Sequence, residues 1–120
     1  MLKNFSNDKK DVITMNTKQQ HKRWRKEFNR VVFERDNNKC RICDETSNLD
    51  SHHITDRHLM PNGGYVLSNG ISLCSMCHYK AEEYHITNGH TWPEGFHPND
   101  LYDLIVSSYN RAYEDSLMLK

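Results

Sequence analysis

Cys40-Arg41-Ile42-Cys43 and Cys74-Ser75-Met76-Cys77-His78 stand on either side of residues 44–73, and this pair of C-x-x-C knuckles decides how the chain folds. Each knuckle lets two thiolates converge on one ion, and two knuckles complete a closed, tetrahedral zinc site. Two disulfides are the alternative, and they need an oxidising compartment. The N-terminus, Met1-Leu2-Lys3-Asn4-Phe5-Ser6-Asn7-Asp8-Lys9-Lys10, has no apolar signal core. No run approaches the roughly 18 to 20 apolar residues of a membrane span. The expectation is therefore a soluble, cytoplasmic protein with no membrane partner, whose reduced Cys40, Cys43, Cys74 and Cys77 hold a structural Zn2+. A redox C-x-x-C normally comes singly beside a βαβ pattern, and none is visible.

The rest of the composition agrees. The chain has 120 residues, 36% of them hydrophobic, with 4 Cys and 8 His and a mean hydropathy of −0.90. That is room for one small domain whose core needs a staple.

Between the knuckles, Leu49-Asp50-Ser51-His52-His53-Ile54 reads as a strand and Ser68-Asn69-Gly70-Ile71-Ser72-Leu73 as a second. A loop over residues 55–68 joins them, with Pro61-Asn62-Gly63-Gly64 as its turn. The second knuckle opens a helix, His78 to His85, on which His78, Glu82 and His85 share one face. Before the first knuckle, Trp24, Phe28, Val31 and Val32 recur at helical spacing from Lys18 to Asp36, while Lys18, Lys22, Lys26 and Arg30 step along the opposite side. Phe33 falls on the basic side without an evident core role. After a loop over residues 88–98, a last amphipathic helix is expected from Asn99 to Met118, with Leu101, Leu104, Ile105, Tyr109, Ala112 and Tyr113 as its stripe. Residues 1–16 read as a mobile polar tail and residues 17–120 as the single domain.

Net charge is zero, yet residues 1–43 hold 12 Lys/Arg against 5 Asp/Glu, and residues 44–120 hold 4 against 11. Such asymmetry is expected if the first part meets phosphate and the second faces solvent or holds a cation; two solvated faces are the plainer alternative.

Taken in order, Arg35-Asp36-Asn37-Asn38-Lys39-Cys40, Cys40-x-x-Cys43, His52-His53-Ile54, Asn69-Gly70-Ile71-Ser72-Leu73-Cys74 and Cys74-x-x-Cys77-His78 make the chain resemble the zinc-stapled HNH endonucleases of bacteria, phages and mobile elements over residues 35–85. The resemblance implies a small α+β fold: a ββα-metal, treble-clef-like core with a structural zinc site, here flanked by a basic N-terminal helix and an amphipathic C-terminal one. It implies hydrolysis of DNA phosphodiesters to 5′-phosphate and 3′-hydroxyl ends, with His53 as general base and one catalytic Mg2+ or Mn2+ on His52 and His78. Asn69 is implied to hold the His53 loop across the ribbon. Colicin-type relatives place a further histidine where this chain has Glu82. That carboxylate suits Mg2+ or Mn2+, so Glu82 is a candidate ligand, directly or through water, with solvent exposure as the alternative; Glu83 and His85 stand behind it. On a strand His52 and His53 point to opposite faces, so both reach one phosphate only if the strand bends or the phosphate sits at its end.

Lys18, Lys22, Lys26 and Arg30 are the expected DNA-backbone contacts. His58, in the inter-strand loop, is a candidate substrate contact, and His21, His90 and His97 carry no assigned role. One active centre cuts one strand per engagement, so a monomer or a homodimer is compatible with the chain. The alternative function is a catalytically inactive zinc-stapled nucleic-acid-binding module.

Overall fold

The computed structural model describes residues 17–120, with helix α1 given as Leu2–Arg35. The expected polar tail over residues 1–16 lies outside the described residues. After α1 come strand β1 (Leu49–His53), three 3-10 turns, strand β2 (Gly70–Cys74), and helices α2 (Ser75–Ile86), α3 (Pro98–Leu104) and α4 (Tyr109–Leu117). The chain is thus a small α+β protein with a two-stranded antiparallel sheet.

The β1/β2 register pairs Leu49 with Cys74, His52 with Ile71 and His53 with Gly70. β2 is buried throughout, as the inner layer between helices must be. Along β1 the period of two sends Ser51 and His53 toward α1, where Ser51 bonds Asn29 and His53 stacks on Phe28. Asp50 and His52 go the other way, toward His78 and Glu82 of α2.

α1 stops where Asn37 and Asn38 take left-handed conformations, φ 56° and 54°, which asparagine tolerates better than most residues. The buried Asp36 carboxylate then locks the corner. It accepts hydrogen bonds from Arg35 at 2.8 and 2.9 Å, from Arg41 at 2.6 Å and from the Ser72 amide at 2.8 Å. Burial works to raise this carboxyl's pKa, but those donors outweigh it and hold it below the ordinary value.

Among the described residues two apolar clusters form. The larger joins Ile54, Met60, Ile71, Leu73, Ala81, Phe96, Leu101, Tyr102 and Ala112 to three of the cysteines. The smaller is Phe28, Val32 and Tyr65, with Trp24 and Leu119 packed against it. Gly70 lets α1 come this close: a Cβ there would lie 2.5 Å from Val32 Cγ2 and 2.6 Å from Phe28 Cε1.

The C-terminal region departs from the expected single helix. α3 ends at Leu104, Val106 sits at φ 53°, and Ser108 caps α4 by accepting from the Arg111 amide. The break is held by Ser107, whose amide bonds Tyr102 O at 2.9 Å and whose Oγ donates to Ser68 O at 2.8 Å. Of the expected stripe, Leu101 and Ala112 are buried, whereas Leu104, Tyr109 and Tyr113 are exposed. The apolar spacing runs on across residues 99–118, but the two halves are separate helices docked by different contacts.

Candidate active site and metal centre

The sulfurs of Cys40, Cys43, Cys74 and Cys77 lie within 4.8 Å of one another, and none forms a disulfide. Four thiolates at about 2.3 Å from one ion stand roughly 3.8 Å apart, and Cys43 Sγ is 3.6 Å from Cys74 Sγ. The first knuckle is shaped by Cys40 N donating to Glu45 O at 2.8 Å and Asp44 N to Cys40 O at 2.9 Å, and it is pinned to β2 by Arg41 N donating to Ser72 O at 2.9 Å. Burial pushes Cys40 up, but the amides of Cys43, Cys74 and Ile42 bring it down to about 7. Burial and the neighbouring thiols push Cys77 well above the ordinary range. Four thiols this close do not all ionise unless a cation neutralises them, and the set fits structural zinc.

A second cluster, His52, His78 and Glu82, places one ligand atom from each residue within 4.8 Å of the others. His52 Nδ1 lies 3.1 Å from Glu82 Oε2 but not in line for a hydrogen bond, so both of its buried ring nitrogens lack a partner. A buried imidazole with unused nitrogens facing a carboxylate and a second imidazole fits a divalent cation. Burial lowers the pKa of His52 and keeps it neutral, whereas the facing rings of His52 and His78 hold the Glu82 carboxyl far below its usual range.

His78 is oriented from behind: its Nδ1 lies 3.2 Å from Asp50 Oδ2 and its Nε2 3.5 Å from Glu82 Oε2. A carboxylate behind an imidazole is an arrangement common where histidines hold metals. Asp50 escaped the sequence reading, although its position two residues before His52 puts it on the same strand face. His85 Nε2 is 3.0 Å from His53 O, and with that nitrogen tied to a carbonyl, His85 serves as a tether between α2 and β1. Neither His85 nor Glu83 joins the metal cluster.

His53 is the last residue of β1. Its ring lies between Phe28, at 4.5 Å and 25° between planes, and the edge of Tyr65, at 5.1 Å. Burial holds the imidazole neutral, its pKa pushed down to about 4, and Nε2 has no partner. His53 opens onto a cavity of about 410 Å³ that is also lined by Arg25, Asp56, Arg57, His58, His78, Glu82 and His85. The opposite faces of β1 thus meet around its end, where His53 and the metal cluster border one space.

Asn69, fully buried, staples the loop that follows His53. Its Oδ1 accepts from Thr55 N at 2.9 Å and from Tyr102 OH at 2.7 Å. Its Nδ2 donates to Thr55 O at 3.1 Å and Gly64 O at 3.2 Å. Phe28, read from sequence as a core position, and Tyr102, which lies outside the expected apolar stripe, therefore both touch site residues.

Of the expected DNA contacts, Lys18 and Lys22 border a cavity on α1 together with His21 and Arg25. Arg30 is engaged by Glu27 at 2.6 Å and Glu34 at 3.4 Å, and Lys26 is exposed. His58 lines the cavity that His53 borders, His21 lines the space beside it, His90 bonds Thr87 O at 2.7 Å and His97 caps α3. Arg25 and Arg57 were not singled out by their spacing, because only the fold brings them together.

Among the described residues no helix is long and apolar enough to cross a membrane. No curated protein and no solved structure matches the chain at a significant level. The family model described as HNH endonuclease matches residues 40–83, a stretch holding both knuckles, the ribbon, His52, His53, Asn69, His78 and Glu82, and over this stretch the chain is similar to an HNH endonuclease domain, which supports a nuclease-type function on nucleic acid in general terms.

Proposed function

We propose that this protein is a metal-dependent DNA endonuclease that hydrolyses phosphodiester bonds to 5′-phosphate and 3′-hydroxyl ends. The observation that carries this reading is the shared cavity: the neutral imidazole of His53 borders the same space as His78 and Glu82. The chemistry a Mg2+ or Mn2+ would supply at this site is neutralisation of charge on the phosphate and the leaving oxygen. His52, His78 and Glu82 are the residues to hold it.

His53 takes the proton from the attacking water, a task that needs a positioned imidazole with a free nitrogen. Phe28 and Tyr65 fix the plane of that ring, so little freedom is lost when substrate arrives. Asn69 keeps the loop after His53 closed, and Asp50 sets the rotamer of His78. The zinc knuckles support α2 and with it His78 and Glu82. Docking on the DNA backbone falls to the basic side of α1 at Lys18 and Lys22, since Arg30 is engaged by Glu27 and Glu34.

The test is relaxation of supercoiled plasmid by the zinc-loaded protein with Mg2+ or Mn2+, with both chelated, and with His53→Ala alongside. Divalent-dependent nicking that His53→Ala abolishes, while zinc content and DNA binding persist, is the expected result. Folded, zinc-loaded wild type that binds DNA but cuts none under any divalent metal overturns the enzyme and leaves a nucleic-acid-binding module.

A further inference from the structure

Two arginines from distant parts of the chain, Arg25 on α1 and Arg57 after β1, point at one phenol. Arg25 Nη2 lies 3.5 Å and Arg57 Nη1 3.3 Å from Tyr65 OH, and the Arg25 guanidinium sits 5.9 Å from the Tyr65 ring centroid. Among the described residues neither arginine has a carboxylate within ion-pair distance, in contrast to Arg30, Arg35 and Arg41. Two like charges gathered on a neutral hydroxyl repel each other unless an anion joins them.

Their surroundings say which anion. Both arginines and His58 line the cavity that holds His53. All three also line a second cavity, about 300 Å³, with His21 and Gly63. Arg25 and His21 then border a third with Lys18 and Lys22. Neighbouring spaces share Arg25 and other lining residues, so basic side chains stand in succession from the cavity of His53 along α1 to Lys18 and Lys22. Tyr65 is the fixed post between them: it is buried, and its ring meets both His53 and Phe28 edge-on. A planar guanidinium matches a phosphate oxygen pair, and a row of such groups matches a polyphosphate backbone.

We propose that Arg25 and Arg57, held by Tyr65, bind a phosphate flanking the cleaved one, and that the DNA strand continues from there past His21 to Lys18 and Lys22. This inference rests on the nuclease reading and narrows it. Arg30, neutralised by Glu27 and Glu34, and Lys26 stand off the path. The basic stripe therefore contributes through its first two members, joined by the arginine pair that its spacing did not include.

Binding separates this from catalysis. With His53→Ala as the cleavage-silent background, a fluorescein-labelled mixed-sequence DNA duplex is titrated at several salt concentrations. Removing one phosphate-binding charge lowers the slope of log K against log[salt] by about 0.9. Arg25→Gln with Arg57→Gln is expected to lower it by roughly one to two, and Lys26→Gln with Arg30→Gln to leave it unchanged. In the cleaving protein the arginine pair raises KM more than it lowers kcat, and Arg25→Lys with Arg57→Lys restores the slope in part. Zinc content checks that each variant is folded; should the Gln pair fail that check, the Lys pair and the Lys26/Arg30 pair still decide. An unchanged slope in the folded arginine variant, or an equal loss in the Lys26/Arg30 variant, overturns the path while leaving the nuclease standing. A background protein that binds no DNA overturns both.

Discussion

Phe28 on α1 lies flat against His53 at the end of β1, ring centroids 4.5 Å apart and planes 25° apart. A side chain that the helical pattern marks as core thereby sets the plane of the proposed base. Truncation to Ala removes a fully buried ring and costs about 3 to 5 kcal/mol, as such changes do in cores. Phe28→Leu is the informative variant. It is expected to keep zinc and most of the stability while lowering kcat roughly 10- to 100-fold with little change in KM, because a loosened imidazole loses alignment with water. Steady-state cleavage alongside urea unfolding checks both parts.

Gly70 pairs with His53 across the ribbon and faces the same Phe28 and Val32 side chains. Gly70→Ala drives a methyl into them and is expected to destabilise by about 1 to 3 kcal/mol through overpacking. Because the strain pushes α1 off the ribbon, activity falls more than stability predicts. Thermal unfolding and cleavage measured below the transition distinguish this from simple loss of folded protein.

Tyr102 and Asn69 share a buried hydrogen bond of 2.7 Å. Tyr102→Phe leaves Asn69 Oδ1 with its Thr55 amide donor and is expected to cost about 1 kcal/mol. Asn69→Ala orphans several backbone groups and costs about 2 to 4 kcal/mol. Both lower kcat, Asn69→Ala the more. Equal effects of the two on kcat at a temperature where both are folded would contradict the staple.

Asp36 makes stability depend on acid. Its carboxyl is held below the ordinary value in the fold, so its contribution is complete above the unfolded pKa of about 3.9 and drains away as pH falls through the lower folded value. Asp36→Asn is expected to lose about 2 kcal/mol at pH 7, since Arg35 and Arg41 are left half-paired. The gap between wild type and variant narrows below about pH 4. Urea midpoints of the two, subtracted at each pH so that zinc release common to both cancels, show the trend. A gap that stays constant to pH 2 overturns it.

Glu82 closes the set formed with His52 and His78. Glu82→Ala is expected to raise the Mn2+ concentration for half-maximal cleavage about 10- to 100-fold or more, the range seen even when only supporting groups are lost. Zinc content should not change, because the cysteine cluster is separate. A metal titration of cleavage with parallel zinc analysis measures both. An unaltered Mn2+ requirement would mean that Glu82 does not ligate.

Much of this was legible in the chain itself. The two C-x-x-C knuckles, the His52-His53 pair, Asn69 and His78 carry their chemistry in residue type and spacing, since a metal site needs its donors at set intervals on short elements. The strand, loop, strand and helix between residues 49 and 86 follow from that spacing and from turn chemistry, both of them local.

The rest was decided by tertiary contact. That His53 and the metal cluster border one cavity depends on α1 and α2 closing on opposite faces of the ribbon around its end. Arg25 and Arg57 converge on Tyr65 only because α1, the loop after β1 and the turn before β2 fold onto one point. The break between α3 and α4 turns on Ser107 reaching Ser68, a bond to a residue far away in sequence. Periodicity reports which face of an element is apolar; it carries no information on which other element that face will meet, because packing partners are chosen by shape and by the whole core at once.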